Sequence, residues 1–250
     1  MTARAYAQGV HPIERLRYVA RAGIVPAGPL VRESASALSS FADDPKGLLT
    51  SCRRLLDRRS DCAPLVWLAA RMLTAMDPRA EARRVIGDLE DDATGQVLGK
   101  GIDALPAGSS VLAVGALGAY AAALDDRPDL RWAEPDDLEA GSGADLVLMT
   151  SDCAGPSQAL VVAETVSVAE MARGWEIPVW LIAGAGRILP ERMWDLLSAR
   201  HRPDDPAMRG LAALDLDRFV TRMVTPSGLW TPAEAARRSA CPIVPELLAR

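Results

Sequence analysis

The sequence predicts an α/β protein in which a helical domain is followed by a domain with a mainly parallel sheet. The first hundred residues carry apolar side chains at helical spacing, whereas short apolar runs alternate with helical stretches from residue 105 onward. Each short run is almost continuously apolar, which is typical of a parallel strand covered by helices on both faces. We therefore expect a helical domain over residues 1–104 and a small Rossmann-like domain over residues 105–250.

Five helices are predicted in the first domain. Pro12 suits the first turn of the first helix, and Gly23 lies just past its end as a stop. The predicted helices cover residues 11–23, 29–42, 45–59, 63–75 and 78–91. The stretch from there to Lys100 is expected to fray.

Four strands alternate with helices in the second domain. The second strand ends at a proline, and the polar, proline-rich stretch 202–210 predicts a loop. The predicted strands cover residues 110–116, 129–135, 144–151 and 177–184. The predicted helices cover residues 118–126, 159–175 and 189–200, and a last strand and turn fall within residues 214–232.

The composition argues against several classes of function. At 250 residues with 49% apolar content, the chain is long enough to bury a substantial core. Its net charge of −5 argues against a general nucleic-acid binder, which is normally basic. The exception is the basic run Arg53–Arg59, which fits the solvated face of a helix. A nucleic-acid partner is therefore not expected.

The four cysteines and two histidines follow no metal-binding pattern. No two cysteines form a C-x-x-C pair, so neither a zinc site nor another cofactor is expected. No apolar run approaches the roughly 20 residues of a membrane span, and no signal-peptide pattern is present. We expect reduced thiols in a cytoplasmic protein. Frequent alanine, arginine and glycine with few lysines indicate a GC-rich, bacterial genome.

Candidate site residues lie where the predicted strands end. In parallel α/β sheets, ligands bind outside the carboxyl ends of the strands, which here are residues 115–119, 150–155 and 184–187. Gly115 and Gly118 come between a strand and a helix, so their backbone N–H groups could face an anion. The pattern is not G-x-G-x-x-G, and tight strand-to-helix turns are the more ordinary explanation.

Asp152 is the strongest single candidate for chemistry. A carboxylate at the end of a buried strand can be partly buried, which suits proton transfer. Alternatively, its side chain bonds the backbone of the turn over residues 153–155. Cys153 beside it would be a nucleophile only if a neighbour lowered its pKa, and the sequence shows no such neighbour.

Two further charged residues are open to two interpretations each. Arg187, at the end of the fourth predicted strand, would clamp a phosphate or cap the edge of the sheet. Glu164, in the helix that follows Asp152, would face the same cleft or solvent.

Two stretches of the C-terminal half follow a known family pattern. Residues 144–184 follow one order of elements from that pattern. The order is a strand, a turn, a segment at the position of N-K-x-G-T, a helix, and a strand of the I-P-[FV]-[YW]-V type. The tail LDLDRFVTRMVTPSGLWTP is similar to a closing stretch that contains T-x-x-G-x-x-x-P. Over residues 108–232 the chain thus resembles the superfamily of the α, β and δ subunits of the translation factor eIF2B, methylthioribose-1-phosphate isomerase and ribose-1,5-bisphosphate isomerase.

The resemblance assigns roles to particular positions and indicates which roles are lost. Asp152 matches the catalytic aspartate of the isomerases, whereas Gly115 matches their catalytic cysteine, so that thiol is absent. Residues 161–165 match the phosphate-binding segment, of which only Thr165 survives and in which Glu164 would repel a phosphate. The linker between the second and third strands is short, as if one βα unit were deleted.

These departures imply a catalytically degenerate, eIF2B-like binding or regulatory module that takes a small phosphorylated metabolite. The resemblance also implies a homodimer formed through the C-terminal domain. Trp180, Trp194 and Trp230 would suit such an interface, or would simply fill the core.

The alternative is a sugar-phosphate isomerase-like enzyme with altered chemistry, because one fold can host several reactions. Asp152 would then be the acid or base, assisted by Cys153, Arg187 or Ser151.

Overall fold

The computed structural model describes Glu14, Leu16 and residues 27–115, 117–124, 127–133, 143–199 and 208–248. Of the helix predicted over residues 11–23, only those first two residues are described, and both are helical. The end of the second predicted strand, most of the linker expected to lack a βα unit, and most of the predicted loop over residues 202–210 lie outside the described residues.

Residues 27–103 of the helical region contain five α-helices. Two of them begin at an Asp-Pro pair, where the Asp44 side chain accepts a hydrogen bond from Gly47 N (3.0 Å) and the Asp77 side chain accepts one from Ala80 N (2.9 Å). Such caps, with proline in the first turn, fix where a helix starts. The helices are α1 (Ala27–Leu38), α2 (Pro45–Leu56), α3 (Ala63–Thr74), α4 (Pro78–Glu90) and α5 (Thr94–Asp103).

Helix α5 corrects the prediction that the chain frays after α4. Gly95, Gly99 and Gly101 lower its helix propensity, which is why the sequence resembles an irregular segment. Packing overrides that propensity, because Leu98 and Ile102 are fully buried in one cluster with strand residues of the sheet.

The sheet is mainly parallel, as predicted. The strands of the described residues are β1 (Ser110–Val114), β2 (Arg131–Ala133), β3 (Leu146–Thr150), β4 (Cys153–Ala154), β5 (Gln158–Val162), β6 (Val179–Ile182), β7 (Leu211–Asp215), β8 (Arg222–Thr225) and β9 (Gly228–Trp230). Six of them form the main sheet in the order β2-β1-β3-β6-β8-β9. All neighbours in it are parallel except the β8–β9 hairpin, so β1, β3, β6 and β8 end at one edge.

A second, antiparallel sheet in the order β4-β5-β7 replaces the start of a predicted helix. Residues 158–162 form β5, and helix α6 (Ala163–Gly174) begins after it, so the prediction of a helix over residues 159–175 is wrong at its start. Residues 159–162 are apolar at every position, and periodicity cannot distinguish such a run from a buried helix. The β-branched Val161 and Val162 favour the strand.

Two further segments differ from their predicted form. Residues 118–124 form a 3-10 helix instead of an α-helix. The stretch 214–232, predicted as one strand and turn, contains the end of β7, a short helix, β8 and β9. The remaining α-helices of the described residues are α7 (Glu191–Ser198), α8 (Leu216–Phe219), α9 (Pro232–Arg237) and α10 (Pro245–Leu248).

The buried core of the helical region includes the C-terminal end of the chain. Met193, Trp194 and Leu197 of α7, with Leu247 of α10, belong to the same buried cluster as residues of α1 to α4. Helix α5, which precedes the predicted domain boundary, packs against β8 and β9. The division of the chain at residues 104 and 105 stays a prediction.

Candidate functional site

The candidate cleft is the carboxyl edge of the main sheet, where β1, β3 and β6 end. Asp152 follows β3 and Arg187 follows β6, and their side chains form an ion pair with Arg187 Nη1 3.1 Å from Asp152 Oδ1. Gly115 follows β1, and a Cβ placed on it would lie 3.8 Å from Thr150 Oγ1, so this glycine borders the end of β3. The structure therefore brings Asp152 and Arg187 into contact and places Gly115 beside the end of β3.

Asp152 is exposed at this edge of the sheet. Its side chain is about half exposed, at 51%. The turn that follows it is held by the buried hydroxyl of Ser151, which accepts a hydrogen bond from Cys153 N (3.1 Å) and lies 2.8 Å from Leu160 O. The Ser151 hydroxyl, and not the Asp152 side chain, therefore bonds the backbone of this turn.

Arg187 is held on two sides. Its guanidinium carbon lies 5.5 Å from the centre of the Tyr120 ring, in addition to the contact with Asp152. Its side chain is 21% exposed, so it is partly accessible to solvent. Arginine combines a fixed charge with a planar fork of N–H donors, which suits carboxylate and phosphate groups.

Tyr120 and Asp92 complete this arrangement, and neither was predicted from the sequence. The Tyr120 hydroxyl donates a hydrogen bond to Asp92 Oδ2 (3.2 Å). Burial, followed by the field of Asp92, raises the pKa of Tyr120, against the opposite effect of Arg187, so its hydroxyl remains a donor. The available signal was the Asp92-Ala-Thr94 sequence at the start of α5, a local pattern that favours a helix cap.

The turn over residues 184–187 needs glycine for close approach. A side chain on the buried Gly184 would overlap the Tyr120 hydroxyl and the Asp92 carboxylate. Gly186 has φ +72° and lies flat against the Trp67 ring of helix α3. The backbone before Arg187 therefore packs directly against both the helical region and the 3-10 helix.

The helical region also contacts the backbone of Asp152. Ala63 N, at the start of α3, donates a hydrogen bond to the Asp152 carbonyl oxygen (3.2 Å). Arg59 is buried and forms two hydrogen bonds with Asp61, at 2.9 and 3.0 Å. Burial opposes the charge on Arg59, but the hydrogen bond to Asp61 and the fields of Asp61 and Asp152 raise its pKa.

The basic run Arg53–Arg59 is thus only partly the solvated helix face that the sequence predicted. Arg54 and Arg58 are exposed, whereas Arg59 is buried and Arg53 donates a hydrogen bond to the Glu246 carbonyl oxygen (2.8 Å). The run follows α2 past its end at Leu56, so its last residue turns inward.

Cys153 lies on the opposite side of the backbone from the cleft. It is fully buried in the helical cluster, and burial raises the pKa of its thiol well above the ordinary value. The thiolate is the nucleophilic form of cysteine, so this environment disfavours the reactivity considered from the sequence.

Gly118 and Thr165 are the remaining predicted site residues, and no contact joins either of them to Asp152 or Arg187 among the described residues. Gly118 is exposed at the start of the 3-10 helix, with φ +55°. Thr165 is buried in the first turn of α6, which packs against β5 and β7 of the second sheet. Glu164 is exposed, in agreement with the solvent interpretation.

The three tryptophans considered for an interface differ in burial and in the residues that they contact. Trp194 is buried against Gly155, which corresponds to the core interpretation. Trp180 is partly buried against Gly101, and Trp230 is partly buried beneath Arg238, whose guanidinium carbon lies 3.8 Å from the ring centre.

Within the part of the chain that the structure describes, no group of three histidine, cysteine or acidic side chains could hold a metal ion. Among the same described residues, the helices lack the length and the apolar character that a transmembrane span needs.

The fold and its cleft define an α/β protein with a mainly parallel sheet and a helical region ahead of it. The sequence matches no protein-family model, and no curated protein is similar to it in sequence.

Solved structures, in contrast, share the fold. Translation initiation factor eIF-2B from Pyrococcus horikoshii OT3 is similar with a TM-score of 0.66 at 12% identity, over 94% of this chain and 100% of that one. A chain of the tetrameric eIF2B-beta2-delta2 complex from C. thermophilum is similar with a TM-score of 0.65 at 14% identity, over 90% and 93%.

An isomerase shares the fold as well. The 5-methylthioribose 1-phosphate isomerase from P. horikoshii OT3 is similar with a TM-score of 0.55 at 13% identity, over 91% of this chain and 86% of that one. The resemblance inferred from the sequence is therefore confirmed at the level of the fold, which this chain shares with eIF2B subunits and with a sugar-phosphate isomerase.

Proposed function

We propose that this chain is a catalytically degenerate binding or regulatory module that holds a small phosphorylated metabolite in the Asp152–Arg187 cleft. The observation that supports this most strongly is the ion pair itself, with Nη1 and Oδ1 3.1 Å apart at the carboxyl edge of the sheet. Arg187 supplies a fixed cation for an anionic ligand, and parallel α/β sheets bind ligands at this edge.

Loss of isomerase chemistry is supported by the groups around Asp152. Interconversion of an aldose and a ketose needs two proton-handling groups on opposite sides of the substrate, and losing one costs about 10²–10⁴ in rate. Asp152 is engaged by Arg187, and Gly115 offers no side chain at the position that matches the isomerases' cysteine. Cys153 is buried with a raised pKa, so it does not replace that thiol.

A ligand phosphate would compete with Asp152 for Arg187. The Asp152 carboxylate and a bound phosphate carry like charges, and both would lie within hydrogen-bonding reach of one guanidinium. Replacing Asp152 by asparagine removes that competition, whereas removing Arg187 removes the cation. The two substitutions are therefore expected to act in opposite directions on anion binding.

The test is a thermal-shift and calorimetric screen with inorganic phosphate, phosphorylated sugars and nucleoside monophosphates. A ligand at 100 times its Kd adds about 2.7 kcal/mol to the free energy of unfolding. We expect Arg187→Ala to weaken binding more than about tenfold, because a charge-assisted hydrogen bond is lost. We expect Asp152→Asn to strengthen it roughly fivefold, as about 1 kcal/mol of like-charge repulsion disappears.

Arg218→Ala is the matched control. Arg218, like Arg187, lies over an aromatic ring, with its guanidinium carbon 4.8 Å from the Phe219 ring centre, although it is the more exposed of the two. It precedes β8, at the opposite edge of the parallel sheet, so its removal should leave binding unchanged. Equal ligand stabilisation of the wild type and Arg187→Ala would contradict the proposal.

An isomerase-like enzyme is the second candidate, favoured by the exposure of Asp152 to the cleft in a fold shared with an isomerase. The test is turnover of 5-methylthioribose 1-phosphate by the wild type and by Asp152→Asn. Turnover that falls about 10²–10⁴-fold in the variant would establish catalysis by Asp152 and overturn the module proposal. Phosphate binding without turnover would support the module.

We further propose a homodimer formed through the C-terminal region, in the cytoplasm of a bacterium. Val162 and Trp175, which flank α6, are 50% and 44% exposed, and exposed aromatic residues are enriched at interfaces. One solved structure of the same fold is described as a tetrameric complex. Sedimentation velocity of the wild type tests the dimer.

The proposed location is supported by the cysteines. All four are buried thiols without a disulfide, as in a reducing compartment.

A further inference from the structure

We propose that Asp92 is a positioning residue of the cleft, whose carboxylate fixes Tyr120 and the turn over residues 184–187 and thereby orients Arg187 toward Asp152. The inference rests on the proposed function, because it concerns the same site. Asp92 lies in the connection between α4 and α5, far along the chain from the strands that carry the cleft.

The Asp92 carboxylate accepts four hydrogen bonds from three separate segments. Oδ1 accepts from Thr94 N (3.0 Å) and from the Thr94 hydroxyl (2.5 Å), which ties it to the start of α5. Oδ2 accepts from the Tyr120 hydroxyl (3.2 Å) and from Ala185 N (3.2 Å). One side chain thus joins helix α5, the 3-10 helix and the turn after β6.

These contacts lie directly behind Arg187. Ala185 is two residues before it in the same tight turn, where Arg187 N donates a hydrogen bond to the Gly184 carbonyl oxygen (3.1 Å). Tyr120 supplies the ring next to the guanidinium. When Asp92 holds both the turn and the ring, the guanidinium has few orientations other than the one that meets Asp152.

The donor pattern requires a carboxylate at position 92. The two backbone N–H groups can only donate, and the Tyr120 hydroxyl stays protonated because burial, with the field of Asp92, raises its pKa. A carboxylate offers acceptors on both oxygens. An asparagine would place an NH₂ group against one of the two sets of donors, so Asp92→Asn should keep about half of the arrangement.

The test measures the reactivity of Arg187, which needs no ligand. Phenylglyoxal modifies accessible arginines, and peptide mass spectrometry of the intact protein after labelling gives the rate at Arg187. We expect the rate to rise roughly tenfold in Asp92→Ala, where the charge-assisted hydrogen bonds are lost, and by less in Asp92→Asn. Rates at Arg187 equal to the wild type in both folded variants would overturn the inference.

Asp145→Ala is the matched control. Asp145 is likewise a carboxylate that accepts a backbone hydrogen bond, from Ser110 N (2.8 Å), but at the opposite edge of the sheet. Its loss should lower the thermal midpoint without changing the rate at Arg187. A rise in that rate equal to the rise in Asp92→Ala would mean general loosening and would overturn the positioning role. If Asp92→Ala does not fold, Asp92→Asn decides the outcome.

Binding of inorganic phosphate provides the second readout and separates the two proposals. We expect Asp92→Ala to weaken phosphate binding roughly tenfold, with Asp92→Asn between it and the wild type. If the wild type binds no phosphate or phosphorylated metabolite, the proposed function fails, but faster labelling of Arg187 in the Asp92 variants still supports the positioning role. If phosphate binds equally to all three proteins, the positioning role fails and the proposed function stands.

Discussion

The cleft and the helical core behind it meet at two consecutive residues, and the side chains of these residues have opposite surroundings. Asp152 is half exposed and pairs with Arg187 across the cleft, whereas Cys153 is fully buried among the helices. Alternation of side chains along extended backbone places neighbours on opposite faces. At this point of the chain the charged side chain therefore lies on one side of the backbone and the packed thiol on the other.

The largest expected effect tests how tightly the cleft is built. Gly184→Ala would place a methyl group into the Tyr120 hydroxyl and the Asp92 carboxylate, so we expect it to lower the free energy of unfolding by about 1–3 kcal/mol. Urea unfolding followed by circular dichroism measures this change.

Gly87→Ala provides the control for that substitution. It adds the same methyl group inside α4, where no atom lies within 4 Å, and should stabilise the protein by roughly 0.5–1 kcal/mol. Similar effects of the two substitutions would show that the cleft turn is looser than its contacts indicate.

The second effect belongs to the core face and depends on pH. Burial raises the pKa of Cys62, which ends the loop before α3, from 9.0 to about 12. Below about pH 9 the thiol is protonated in both the folded and the unfolded chain. Above it, the unfolded thiol ionises first, so stability falls with rising pH by about 1.4 kcal/mol per pH unit for each such thiol.

Cys62→Ala isolates the contribution of that one thiol. The slope of stability against pH between about pH 9 and 10.5 should become shallower in the variant by the amount that one proton contributes, even if overall stability changes. Urea midpoints at several pH values measure both slopes. An unchanged slope would mean that the thiol ionises in the folded protein and that the core face is more accessible than its burial indicates.

The smallest effect is expected outside both regions, at the segment that the resemblance matched to a phosphate-binding motif. Glu164 is exposed in the first turn of α6, where a carboxylate is weakly stabilising, so Glu164→Gln should cost at most about 0.5 kcal/mol. Ligand-induced stabilisation should stay the same. A large gain in phosphate binding would place the anion at α6 and weaken the assignment of the cleft.

The elements were predictable where local sequence specifies them. The Asp44-Pro45 and Asp77-Pro78 pairs mark helix starts, and the structure places α2 and α4 there. The prediction failed for residues 159–162, because an uninterrupted apolar run suits a buried strand and a buried helix equally. It also failed at α5, because packing of Leu98 outweighs the low helix propensity of its glycines.

Half of the candidate site was predictable for a topological reason. Near-continuous apolar runs alternating with helices predicted the mainly parallel sheet, and the carboxyl ends of parallel strands share one edge, so Asp152 and Arg187 were expected at the same place. That inference needs only the position of each residue at the end of its strand, and no knowledge of long-range contacts.

The partners of these residues, in contrast, depend on how distant segments pack. Asp92 lies 28 positions from Tyr120 and 93 from Ala185, and contacts at such separations depend on how α5 packs against the sheet. The burial of Cys153 and Arg59 was likewise set by the helices that cover them. Propensity and periodicity act over a few neighbouring residues, whereas the environment of a side chain is set by whichever segments fold against it.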